Sequence, residues 1–229
     1  MLSHIQADFV PTLLAWDDGA GTYPVLMVED LSGAHWPPPW TTKQVELLLH
    51  TLTRVAQTPP PPGLPLLEEQ RGCFTRWAQV AQNPSALLQR GVCAPSWLDA
   101  ALPELLAAEA RASLSGEHLI HGDVRSDNLC FVGNTVVLVD WSNAQRGTAQ
   151  WDVAYLLATL HLEGGPAPYE VMPGGGELVA LHSDDMALRV SQPQHFPAWL
   201  VEKHQHLLRI QLSWLAQALG LPALDGLTR

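Results

Sequence analysis

The sequence predicts an α+β fold, helix-rich with short hairpins, and three observations carry that expectation. Leu129 to Val132 and Thr135 to Val139 are β-rich runs joined by a Gly133-Asn134 turn, which reads as a hairpin. Phe9 to Trp16 and Tyr23 to Val28 are a second pair of such runs around Asp17-Asp18-Gly19-Ala20-Gly21. Most of the remaining chain repeats its apolar residues with a 3.6-residue period, the signature of helices with one buried face.

Taken in order, the Gly19-x-Gly21 pair lacks a third glycine and a following helix, so it is read as a hairpin turn rather than a phosphate-cradling loop. A Pro-rich connector, His35-Trp36-Pro37-Pro38-Pro39-Trp40, precedes a helix that Thr41 or Thr42 can cap, with Val45, Leu48, Leu49, Leu52 and Val55 on its apolar face. A second Pro-rich loop runs from Thr58 to Pro65. Gly72 to Gln82 and Pro84 to Arg90 are short helical segments, and Pro95 to Leu114 is a longer one that bends or restarts at Pro103. Ala149 to Leu162 is helical until Glu163-Gly164-Gly165-Pro166 breaks it, another helix falls near Glu177 to Val190, and Pro197 to Leu219 is a last helix whose apolar set is wide enough to predict burial on most sides.

The 229 residues are 47% hydrophobic, enough for a sizeable core in one or two domains. No apolar run approaches the length of a membrane span and the N-terminus does not read as a signal segment. Cys73, Cys93 and Cys130 have no ligand-like spacing and read as reduced thiols, so a cytoplasmic location is expected. A formal net charge of −11 disfavours a nucleic-acid partner. It mildly favours a cationic substrate, and an ordinary acidic surface explains it better still.

The chemistry concentrates between His121 and Asp152. His121-Gly122-Asp123-Val124-Arg125-Ser126-Asp127-Asn128 enters the central hairpin and Asp140-Trp141 leaves it, so Asp123, Asn128 and Asp140 converge on one end of it. Phosphoryl transfer uses such a set: an Asp accepts the acceptor hydroxyl's proton, and an Asn five residues on and a second Asp bind magnesium, which takes hard oxygen ligands. Each residue taken alone has an ordinary structural use as a turn, cap or strand-end group. A metal-dependent hydrolase built on His121, Asp123 and Asp140 is a less favoured alternative.

On these motifs the sequence resembles the aminoglycoside phosphotransferase and choline kinase-like family, whose loop is H-G-D-x-x-x-x-N, whose next motif is a strand ending in D-W or D-F, and which then has a D-x-A helix start, here Asp152-Val153-Ala154. The likeness runs from about Phe9 to about Leu219. It implies a protein kinase-like fold, mainly the helical C-terminal lobe with its catalytic hairpin, preceded by a remnant of the N-lobe sheet and a hinge in residues 1–30, with residues 31–229 as the helical lobe. It further implies Asp123 as catalytic base, Asn128 and Asp140 as Mg²⁺ ligands, and ATP or GTP as co-substrate, with Glu29, Asp30 and Leu31 offering backbone groups to the purine. Arg125 either faces the transferred phosphoryl group or pairs with Asp127 or another carboxylate. Asp152 is implied to brace the loop through its backbone N–H groups, His121 to support it, and Trp141 to pack beneath it. The acceptor implied is a small-molecule hydroxyl, with no nucleic acid and no membrane.

The sequence departs from the family upstream of Glu29. None of its first 28 residues is a lysine, and Lys43 and Lys203 both follow the expected hinge. The nucleotide-clamping lysine of such enzymes has no counterpart here. Met1 to Asp8 reads as the tail of a helix. The expectation is a shortened phosphotransferase with little activity by itself, or a kinase-like binding and scaffolding protein, with the two-stranded sheet as a surface for self-association.

Overall fold

The computed structural model describes residues 4–19 and 23–224. The expected turn at Asp17 to Gly21 therefore lies partly outside the described residues, as do the first three residues of the expected helix tail. Residues 4–8 form no α-helix. Contacts divide the chain into two compact units, Met1–Leu66 with Gly116–Val153 and Leu67–Ser115 with Ala154–Arg229. The boundary expected after residue 30 lies inside the first of these.

In the first unit, β1 (Leu13–Asp17) pairs antiparallel with β2 (Val25–Val28). Phe9 and Val10, expected to begin the first strand, are buried outside it. Helix α1 (Thr42–Gln57) starts at a capping box: Thr41 accepts from Gln44 N at 3.2 Å while Gln44 accepts from Thr41 N at 2.9 Å. Its Val45, Leu48, Leu52 and Val55 are buried as the spacing predicts. Strand β3 (His118–Ile120) pairs with β6 (Gln145–Gly147), a sheet the sequence did not announce because each strand is three residues long. Strands β4 (Leu129–Val132) and β5 (Thr135–Leu138) form the expected hairpin, with Gly133 at φ +60 opening its two-residue turn. Both outer edges of that hairpin are occupied. Leu138 N donates to Phe9 O at 2.8 Å, and His35 exchanges two backbone hydrogen bonds with Phe131. The hairpin is thus held in a fixed place, whereas β1–β2 leaves Leu14, Trp16, Leu26 and Met27 at least half exposed.

The second unit is helical: α2 (Trp77–Gln82), α3 (Pro84–Leu88), α4 (Pro95–Arg111), α6 (Pro168–Val171), α7 (Gly176–Ser191) and α8 (Ala198–Leu219). Helix α5 (Trp151–Leu162) has its first turn in the first unit and the rest in the second. The helix expected over Gly72 to Gln82 is instead a 3₁₀ segment, Leu67–Cys73, followed by α2. Helix α4 continues through Pro103 without restarting. Proline there forfeits the hydrogen bond to Asp99 O, and both residues are exposed, where an unpaired carbonyl costs little. In α8, Leu207, Leu208, Leu212, Trp214 and Leu215 are buried as expected, but Trp199 is 67% exposed because it lies in the helix's first turn.

A buried pair of carboxyls ties α2, α4 and α7 together. Asp184 accepts Arg76 N at 2.6 Å and Glu109 accepts Trp77 N at 3.1 Å, so the N–H groups at the start of α2 are satisfied by side chains from two other helices. Burial, with the neighbouring Glu109, disfavours the charged form of Asp184, so the pair is expected to hold a proton. Asp184 is wholly buried, and burial pushes its carboxyl from the ordinary 3.8 up to about 8, while burial also raises Glu109. Between these pH values the native state holds a proton that the unfolded chain has released. Stability therefore falls as pH rises through that window. The melting temperature is expected to drop between pH 5 and pH 8.5, and Asp184→Asn, which keeps the acceptor without the titration, should flatten that drop. An equal slope in the variant would contradict that proton.

Candidate active site

Every residue the sequence singled out for phosphoryl transfer lies in the first unit. The loop from His121 to Asn128 links β3 to β4 and ends in a 3₁₀ turn, Ser126–Asn128. Gly122 has φ +83, and a Cβ on it would sit 2.2 Å from the Asn143 carbonyl oxygen. Glycine is needed there for its conformation and for the close approach of the segment after Asp140.

The loop is held from below by Asp152 at the start of α5, whose carboxylate accepts His121 N at 2.7 Å and Gly122 N at 2.9 Å. Burial pushes this carboxyl upward, and the two N–H donors oppose that shift. The His121 ring takes the Asp123 N–H on Nδ1 at 3.3 Å, which leaves Nε2 to donate to Val139 O at 2.9 Å. This pattern assigns the Nε2–H tautomer. Trp141 packs against the ring at 4.7 Å between centroids and donates its indole N–H to Leu138 O.

Asp123 and Asn128 are in direct contact. Asn128 Nδ2 donates to the Asp123 carboxylate and to the Asp123 backbone oxygen, both at 3.0 Å. No described residue donates to the Asn128 amide oxygen. Val139 N donates to Asn128 O at 2.9 Å, so the residue before Asp140 is tied to the end of the loop. Asp140 itself has φ +56 and ψ +65, a left-handed conformation uncommon outside glycine. Its Oδ1 accepts from Ser142 Oγ at 2.6 Å, and this hydrogen bond, with the Ser142 N–H and the nearby His121 and Arg125, holds its carboxyl below the ordinary carboxylate range. Asp140 thus stands as an anion with its second oxygen open.

Arg125 forks both oxygens of Asp127 at 3.0 Å and lies 3.6 Å from Asp123 Oδ1. Of its two expected arrangements, this structure holds the ion pair. Glu29 bonds twice to Thr12, through its backbone N–H at 3.0 Å and its side chain at 2.6 Å, and Leu31 O accepts from Ala34 N and Trp36 Nε1. Asp30 accepts Ser32 N at 2.8 Å, a bond that lowers its pKa. Among the described residues no hydrogen bond or ion pair joins Glu29, Asp30 or Leu31 to the loop from His121 to Asn128, although the Glu29 charge adds to burial in raising the Cys130 thiol in β4.

Ser142 and the Asn143 carbonyl are site elements that sequence reasoning missed. The Asp-x-Ser spacing at Asp140 is the signal for the first, since a short polar residue two positions on closes such turns. The second carries no side-chain signal. Both His121 ring nitrogens are engaged, Nδ1 by Asp123 N and Nε2 by Val139 O, and among the described residues no group of three or more His, Cys, Asp or Glu is placed to hold a metal.

Residues 1–186 match the model of the phosphotransferase enzyme family. The chain belongs to that family. Its fold is the kinase-like fold of the aminoglycoside phosphotransferases and choline kinase-like proteins. An aminoglycoside phosphotransferase from Alicyclobacillus acidocaldarius is 16% identical, with a TM-score of 0.61 over 93% of this chain and 77% of that one. A choline/ethanolamine kinase family protein from Mesorhizobium loti is 13% identical, with a TM-score of 0.56 over 89% of this chain and 79% of that one. A thermostable mutant of aminoglycoside phosphotransferase APH(4)-Ia, in ternary complex with ADP and hygromycin B, is 17% identical, with a TM-score of 0.53 over 91% and 80%. No curated protein matches the chain. Among the described residues of this phosphotransferase, no helix is long and apolar enough to cross a membrane.

The phosphotransferase loop is expected to be sensitive at its two supports. Gly122→Ala should lower stability by about 2 kcal/mol or more, and Asp152→Ala, which strands two buried N–H groups, by about 2–4 kcal/mol. Urea unfolding monitored by tryptophan fluorescence checks both, and a neutral effect of either would show that the loop does not depend on that contact.

Proposed function

We propose that this phosphotransferase moves the γ-phosphoryl group of ATP or GTP to a hydroxyl of a small molecule. The observation that carries the reading is the contact between Asp123 and Asn128 on a loop held rigidly by Asp152. Asp123 accepts the proton of the acceptor hydroxyl and orients it; the Asn128 amide that it faces fixes its carboxylate. Mg²⁺ fits what the residues leave open, the Asn128 amide oxygen and the free oxygen of the ionised Asp140, and when bound it would neutralise charge on the nucleotide phosphates. Arg125 exchanges Asp127 for the transferred phosphoryl group and offsets its charge. The Leu31 N–H and the Glu29 carbonyl, which have no partner among the described residues, offer one donor and one acceptor to the edge of a purine. Residues up to about 30 then act as the small-lobe portion and hinge, and residues from 31 onward as the helical lobe.

A relative solved with ADP and hygromycin B supports a nucleotide and a hydroxyl-bearing acceptor as the substrate pair. The ion pair that engages Arg125 with Asp127 favours a second reading, a kinase-like binding protein. We expect the purified chain to turn ATP over slowly and to bind MgATP weakly. The exposed apolar side chains of β1 and β2 should make it self-associate with rising concentration.

Calorimetry and a coupled ADP-release assay test this. With Mn²⁺ and ATP as the probe, paramagnetic broadening should centre on Asp140 and Asn128, and Asp140→Asn or Asn128→Ala should weaken metal-nucleotide binding by about ten-fold, roughly 1.4 kcal/mol. Binding indifferent to both substitutions would remove the phosphotransferase assignment of these residues, and fast turnover would remove the binding-protein reading.

A further inference from the structure

We propose that the helical second unit carries a binding site for a small aromatic anion, in the cleft lined by the C-terminal end of α5, the start of α6 and one face of α8. The cleft has a volume of about 510 Å³, within the range of small-molecule sites. Leu162, Tyr169, Ile210 and Trp214 give it an apolar and aromatic lining. The inference does not rest on the phosphotransferase reading, because it uses no residue of that site.

The polar members of the lining decide the class of ligand. Arg209, His161 and His206 face the cleft and, among the described residues, no Asp or Glu does, in a chain that has 23 acidic residues against 12 Lys and Arg. Arg209 spends one N–H on Gly91 O at 2.8 Å, and its other donors meet no acceptor among the described residues. The Tyr169 hydroxyl and the His206 ring likewise make no hydrogen bond among the described residues. The Trp214 indole N–H, by contrast, is committed to Met172 O at 3.0 Å, so that ring presents carbon to the cleft. His161 directs Nδ1 at Gly165 O, 3.1 Å away.

An apolar slot with an under-used guanidinium matches a flat hydrocarbon ring that bears a carboxylate, since the guanidinium fork pairs with carboxylate oxygens two at a time. Among the described residues a polyamine finds no carboxylate here to pair with. The cleft therefore selects against the cationic compounds that the chain's overall charge would attract.

The probes are 2-naphthoate, 2-naphthalenemethanol and 2-naphthylmethylammonium, titrated into the full chain by calorimetry and by NMR. The carboxylate should bind about ten-fold or more tighter than the ammonium, with the alcohol between them. Arg209→Gln should lose most of the preference for the carboxylate, Arg209→Lys should keep part of it, and Ile210→Trp, which fills the slot, should weaken all three probes. Because Arg209→Gln also removes a contact to Gly91, the melting temperature of each variant is measured alongside, and Ile210→Trp gives an independent result if that variant does not fold. No measurable binding, equal binding of the three probes, or binding unchanged in the folded variants would each overturn the proposal.

Discussion

The buried carboxylate of Asp152 accepts two consecutive backbone N–H groups, from His121 and Gly122, and the geometry of the site descends from that contact. A loop that must present a carboxylate at a fixed point cannot rely on strand pairing, because its backbone leaves the sheet before reaching Asp123. Charge-assisted hydrogen bonds from a residue at the start of a helix replace it. With the backbone at His121 fixed, the imidazole bridges Asp123 N to Val139 O, and so couples the loop's entry to the strand that leads to Asp140.

Two further constraints complete the arrangement. Gly122 admits the Asn143 carbonyl to a place where any side chain would collide, so the segments on either side of the hairpin close on each other. Asp140 takes a left-handed conformation that Ser142 stabilises, which turns its carboxylate out of the strand direction. Strain of this kind at a non-glycine residue persists only where neighbours hold it. Here those neighbours are Ser142 and the packed Trp141.

The two units manage buried charge by different means. In the first, the buried Asp152 is matched by backbone donors and a histidine, a pattern that holds one loop in place. In the second, Glu109 and Asp184 accept the first N–H groups of a six-residue helix too short to be stable alone, and burial raises both carboxyls. The cleft beside α8 shows the reverse condition, a cation with donors to spare in an apolar wall.

Much of the site was legible because phosphoryl transfer ties residue type to spacing. Asp123, Asn128 and Asp140 could be named from order alone, as could the hairpin between them from its β-rich runs and Gly133-Asn134 turn. Helix α1 was legible from periodicity, since burial of one face imposes it. The tertiary structure decided what depends on contacts distant in sequence: the β3–β6 pairing, the capping of α2 by Glu109 and Asp184, and the approach of Asn143 to Gly122. Local sequence sets what a segment can do, but which carboxylate meets which donor is settled only when segments tens of residues apart are packed together.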